Sequence, residues 1–87
     1  MTAQDIQMQL ADIWARHLGV KSVSDDDNFF ALGGHSLLGV KMIGAIQEKF
    51  DLGDELKLSD LFEHPTLTDF SHHLQTLSVP SEETGEI

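Results

Sequence analysis

The spacing of apolar side chains constrains the fold of this chain more than any other feature. At ~100° per residue, Ile6, Leu10, Ile13, Trp14 and Leu18 fall within one arc. Leu38, Met42, Ile43, Ile46 and Phe50 do the same, as do Leu67, Phe70, Leu74 and Leu77. No segment sustains the apolar–polar alternation of a half-buried strand. Three amphipathic helices are therefore expected, over roughly residues 3–18, 36–50 and 67–78. Local signals bound them. Thr2 with Asp5 resembles a capping box, and Gly19 stops the first helix as a C′ glycine does. Thr66 with Asp69 repeats the start signal. Between the second and last helices, Asp51 to Lys57 reads as a loop pinned by Leu52, Leu56 and Leu58. Ser59 then reads as the N-cap of a short helix from Asp60 to His64, ended by Pro65. The expected fold is all-α: a small four-helix bundle of three longer helices and one short third helix, with a long ordered first loop.

With 87 residues there is room for one small domain and no second core. A chain of this size buries only ~60% of its unfolded surface. It is too small for a deep, preorganised catalytic cleft, which argues against an enzyme. The absence of cysteine removes disulfides, thiolate metal ligands and a thiol nucleophile. The net charge of −10 opposes binding to nucleic acid or to an anionic membrane. No apolar run approaches the ~20 residues that span a bilayer. With no basic-then-apolar leader in the sequence, the expected location is cytoplasmic. The segment from Pro80 to Glu86 lacks a core pattern, so residues 1–78 are expected to form the domain and 79–87 a disordered tail or linker.

The connection over residues 20–35 is long, and such connections are usually either functional or disordered. Val20, Val23, Phe29, Phe30 and Leu32 favour order, and hence function. It ends in Gly33 and Gly34, which allow backbone angles closed to other residues and close approach by a partner. Ser36 follows, where an N-cap or first-turn residue belongs. A helix N-terminus stabilises a nearby negative group by ~0.3–1 kcal/mol, so a phosphate ester on Ser36 would be favourably placed. Leu37, Val40 and Gly44 lie on the side of the second helix opposite its core arc, with Lys41. Two apolar surfaces on one helix exceed what a small core needs, which suggests a partner-docking stripe beside Ser36. Gly44 costs ~1 kcal/mol relative to alanine in a helix, which close approach by a partner would rationalise.

The run Asp27-Asn28-Phe29-Phe30-x-Leu32-Gly33-Gly34-His35-Ser36-Leu37 resembles the attachment motif of peptidyl carrier proteins from nonribosomal peptide synthesis. The resemblance continues through Leu61-Phe62-Glu63-His64-Pro65-Thr66-Leu67 and covers roughly residues 3–78, in keeping with a single domain of this size. It implies a covalent 4′-phosphopantetheine on Ser36, taken from coenzyme A, whose thiol holds an aminoacyl or peptidyl group. Gly33, Gly34 and His35 are then expected to shape the approach to the cofactor, and Leu37, Val40, Lys41 and Gly44, on the outward side of the second helix, to face partners. Those partners would be a phosphopantetheinyl transferase, an adenylation enzyme, and condensation, tailoring or thioesterase domains, acting on a monomer. Carriers of fatty-acid synthesis have a strongly acidic second helix and an aspartate before the serine. This chain has Lys41 and Lys49 in that helix and His35 in that place, which favours the peptidyl class.

Two alternatives stand beside this reading. One is an acyl carrier of a polyketide line. The other is an unmodified acidic helical interaction module in which Ser36 is only an N-cap. A Ser36–His35 hydrolytic pair is disfavoured, because adjacent residues on a turn seldom face each other and no third residue orients the histidine. His72 and His73 are poorly spaced for joint metal ligation, and with His64 they read as exposed helix-surface residues; no metal site is expected.

Overall fold

The fold is seen in a computed structural model that describes residues 2–77. Four helices follow in order: α1 (Ala3–Leu18), α2 (Ser36–Phe50), α3 (Leu58–Glu63) and α4 (Leu67–Gln75). The all-α bundle with a short third helix is as expected, and the bounds of α1 and α2 match the sequence reading. Thr2 Oγ1 accepts the Asp5 N–H at 3.1 Å to open α1, and Gly19 closes it in the left-handed region at φ 73°.

Three local features differ from expectation. The loop between α2 and α3 contains a 3₁₀ turn over Gly53–Glu55. Helix α3 begins at Leu58 with Lys57, not Ser59, as its cap. The reason is that the Asp60 carboxylate reaches back to accept the Lys57 N–H at 2.8 Å, which moves the start upstream. Helix α4 ends at Gln75, short of the expected 78. There Thr76 folds back, its N–H and its hydroxyl both donating to the His73 carbonyl. The expected tail over 79–87 lies outside the described residues.

The core is built from the arcs read in the sequence. Ile6, Leu10, Ile13 and Trp14 of α1 meet Met42, Ile43, Ile46 and Phe50 of α2 and Leu67, Phe70 and Leu74 of α4. Burial of each such side chain contributes ~1.5–3 kcal/mol. Leu52 and Leu56 are buried and pin the loop before α3, as expected. Trp14 sits at the centre, edge-on to Phe29 with ring centroids 5.6 Å apart and tilted against Phe70 at 5.8 Å.

The long first loop is ordered because it closes the N-terminus of α4. The first four N–H groups of a helix have no intrahelical acceptor. In α4 the Leu67 N–H donates to the Asp27 carbonyl at 3.1 Å and the Thr68 N–H to the Asp25 carbonyl at 3.1 Å. The Asp69 N–H donates to Thr66 Oγ1 at 3.3 Å, and the Phe70 N–H to the Thr66 carbonyl. The Thr68 hydroxyl adds a second bond to Asp25, and the Phe29 N–H returns one to the Pro65 carbonyl at 2.8 Å. Asn28 and Thr66 form an isolated antiparallel bridge.

Candidate functional site

Ser36 is placed by a tight coil that starts at Asn28. The Asn28 side-chain oxygen accepts the N–H groups of Phe30 at 2.8 Å and Ala31 at 3.1 Å, an Asx turn. The chain then tightens through Leu32 to the Asn28 carbonyl, Gly33 to Phe30 and Gly34 to Phe29. Gly33 exits this coil at φ 102°, which a side chain would strain. Gly34 answers a steric need within the chain. A Cβ there would stand 2.7 Å from Phe29 Cζ and nearer still to the rest of that ring edge. The glycine is therefore required by the chain's own packing.

His35, not Ser36, is the N-cap of α2. Its backbone is extended, its carbonyl accepts the Gly39 N–H, and its Nδ1 accepts the Leu38 N–H at 3.4 Å. The reading of Ser36 as only a helix cap thus fails, because the neighbouring residue does that work. Ser36 is the first helical residue, exposed, at the positive end of the helix dipole. The other three α-helices carry an acid in the first turn (Asp5, Asp60 and Asp69), whereas α2 carries none. An exposed hydroxyl at a helix N-terminus free of competing carboxylates fits a phosphodiester.

The surface beside it is apolar. Leu37 is 63% exposed and Val40 53%, and Lys41 is exposed next to them. Gly44 is partly buried, and a Cβ on it would meet nothing within 4 Å, so packing within the chain does not demand it. Val40 and Gly44 line an open groove of about 550 Å³ with Gln47, Asp54, Lys57 and Leu58. Leu37, Val40, Lys41 and Gly44 are thus all on or beside α2's outward side.

Sequence reasoning missed two contributors. Phe62 of α3 is 50% exposed, and its ring stacks on Phe30 with centroids 5.2 Å apart and planes 6° from parallel. In the sequence it reads as a packing residue like the other phenylalanines, and only the fold exposes it. Gly39 of α2 is buried, and a Cβ on it would stand 2.9 Å from Leu58 Cδ1 and 3.2 Å from Leu61 Cδ2. That glycine seats α3 against α2 immediately behind Leu37 and Val40.

The histidines are not all surface residues. His73 is partly buried, stacks on His64 at 4.4 Å, and brings Nε2 within 3.1 Å of Asp60 Oδ1, although without the alignment of a directed hydrogen bond. Burial against α3 explains the departure. Among the described residues no group of three or more potential ligands could hold a metal ion. None of the described helices is long and apolar enough to cross a membrane.

The bundle thus presents the exposed Ser36 hydroxyl at the head of its second helix. The family described as the phosphopantetheine attachment site matches residues 9–74, and the chain belongs to it. Its covalent cofactor is 4′-phosphopantetheine. The chain is 44% identical over 72 residues to gramicidin S synthase 2 of Brevibacillus brevis, a match that covers 83% of this chain and 2% of the synthase. It thus spans a small fraction of the curated relatives it resembles. Its fold is similar to that of BlmI, a type-II acyl-carrier protein from Streptomyces verticillus involved in bleomycin biosynthesis. The TM-score there is 0.78, with 31% identity over 85% of this chain and 87% of that one. It is also similar to a peptidyl carrier protein solved with the phosphopantetheine transferase Sfp and coenzyme A. In that case the TM-score is 0.75, with 34% identity over 82% of this chain and 90% of the other. The chain is a carrier domain of the nonribosomal peptide synthetase type, in agreement with the sequence motif.

Proposed function

We propose that Ser36 is the residue that receives 4′-phosphopantetheine, and that residues 1–78 act as a peptidyl carrier with 79–87 as a tail or linker. The observation that carries this is the exposed Ser36 hydroxyl at the first position of α2, capped by its neighbour and free of a carboxylate in the same turn. When bound, the arm supplies a thiol that holds an aminoacyl or peptidyl group as a thioester. The chain's own residues supply placement. The Asn28 turn and Gly33 fix the approach, His35 holds the helix start, and the dipole of α2 favours the phosphodiester charge.

The carrier itself performs no chemistry and is a substrate for its partners. Supporting partners are those seen with related carriers: a phosphopantetheinyl transferase in one structure and an adenylation domain in another. Condensation, tailoring or thioesterase domains follow from the peptidyl assignment. Leu37, Val40, Lys41 and Gly44 form the contact surface. Each partner must grip and release the domain, so the interfaces are small, below ~1,200 Å². Tethering moves cargo between active sites by raising its effective concentration.

The test is intact mass before and after incubation with coenzyme A and a broad-specificity phosphopantetheinyl transferase, with Ser36→Ala alongside. A gain of one phosphopantetheine by wild type and none by Ser36→Ala is the expected result. A folded wild type that gains nothing, or a Ser36→Ala variant that gains as much, overturns the assignment.

A further inference from the structure

We propose that Phe29 is the positioning residue for the modification of Ser36, acting through Gly34; the inference rests on Ser36 being the acceptor. Phe29 is fully buried. Its ring is held by Trp14 of α1 at 5.6 Å and by Phe30 at 5.1 Å, both edge-on, and lies 3.8 Å from the place of a Cβ on Gly39 in the first turns of α2. Its N–H donates to Pro65 at the entrance to α4, and its carbonyl accepts the Gly34 N–H at 3.0 Å. One residue thus gathers α1, α2 and the α3–α4 junction, and Gly34 rests on its ring edge two residues before Ser36. Because the ring cannot retreat, a side chain at position 34 forces the backbone outward and carries the Ser36 hydroxyl with it. Phe29 never touches the incoming group; it sets where the nucleophile stands. A misplacement of about 1 Å costs an enzymatic step up to ~10²-fold.

The test is a double-mutant cycle in the kinetics of phosphopantetheine transfer from coenzyme A by a broad-specificity transferase, read by intact mass. Gly34→Ala, Phe29→Leu and the double variant are compared with wild type at a temperature where each is fully folded. Leu74→Ala, a core truncation on α4 away from the loop, serves as a stability control. Each single variant is expected to lose about tenfold or more in kcat/KM, mainly in kcat. The double variant is expected to recover to within about threefold of wild type, because leucine lacks Cε2 and Cζ and its δ carbons can turn away from the new methyl. Folded Leu74→Ala is expected to match wild type.

Additive losses in the double variant overturn the proposal, as do singles with wild-type kcat/KM. An equal slowing of folded Leu74→Ala overturns it too. If Gly34→Ala alone fails to fold while the double variant folds, the steric contact is established, and Phe29→Leu against Leu74→Ala decides the kinetic claim. A wild type that takes up no phosphopantetheine defeats the assignment of Ser36 instead, so the two failures are distinguishable.

Discussion

Trp14 and Phe29 meet edge to face with their planes 77° apart, which locks the first helix to the loop that presents Ser36. The indole N–H of Trp14 is buried and has no hydrogen-bond partner among the described residues. A buried unpaired donor costs ~1–3 kcal/mol. Trp14→Phe removes that donor while leaving a small cavity, so the two effects offset and the expected loss of stability is within about 1 kcal/mol. Trp14→Ala, which also removes the ring contacts with Phe29 and Phe70, is expected to cost ~3–5 kcal/mol. Urea unfolding of both variants checks this; equal losses would show that the ring contacts matter little.

The two glycines of α2 are predicted to respond with opposite signs. Gly44→Ala places a methyl in open space and raises helix propensity, so it is expected to stabilise by ~0.5–1 kcal/mol. Gly39→Ala drives a methyl against Leu58 and Leu61 and is expected to destabilise by ~1–3 kcal/mol. Thermal unfolding of the pair measures both, and a stabilising Gly39→Ala would contradict the close seating of α3.

Loss of the Thr66 hydroxyl deprives the Asp69 N–H of its acceptor. Thr66→Ala is expected to cost ~0.5–2 kcal/mol, the usual range for an N-cap. Because the same helix start is tied to Asp25 and Asp27, amide exchange should quicken at Leu67 and Thr68 as well as at Asp69. Quickening confined to Asp69 would uncouple the cap from the loop.

Val40 is more than half exposed on α2 beside Ser36. Val40→Asp is expected to leave helical circular dichroism unchanged while reducing kcat/KM with an adenylation partner by about tenfold, the effect of ~1.4 kcal/mol. A large loss of helicity would place Val40 in the core.

Much of this architecture was legible because its signals are local. Thr2 and Gly19 bound α1 within a few residues of the atoms they satisfy, and the apolar arcs of α1, α2 and α4 follow from helical period alone. The cap of α3 was misread because a serine at position 59 is a familiar signal, while the effective acceptor is a carboxylate reaching back from Asp60 to Lys57. The reasons for Gly34 and Gly39 were out of reach because each is set by a neighbour in space: the Phe29 ring for one, Leu58 and Leu61 for the other. His73 reads as a surface residue in the sequence because its neighbours, Asp60 of α3 and His64 just beyond that helix, meet it only in the fold.

The bonds from Asp25, Asp27 and Phe29 to the start of α4 also bear on the order in which a growing chain becomes usable. On a ribosome the serine emerges well before Leu67 and Thr68, whose N–H groups the loop carbonyls accept. Until those residues are synthesised and folded, the coil that leads to Ser36 can pack on Trp14 but lacks its hydrogen bonds to α4. Well-placed presentation of the serine therefore waits on the last helix, and a chain truncated before it would display the motif without the geometry.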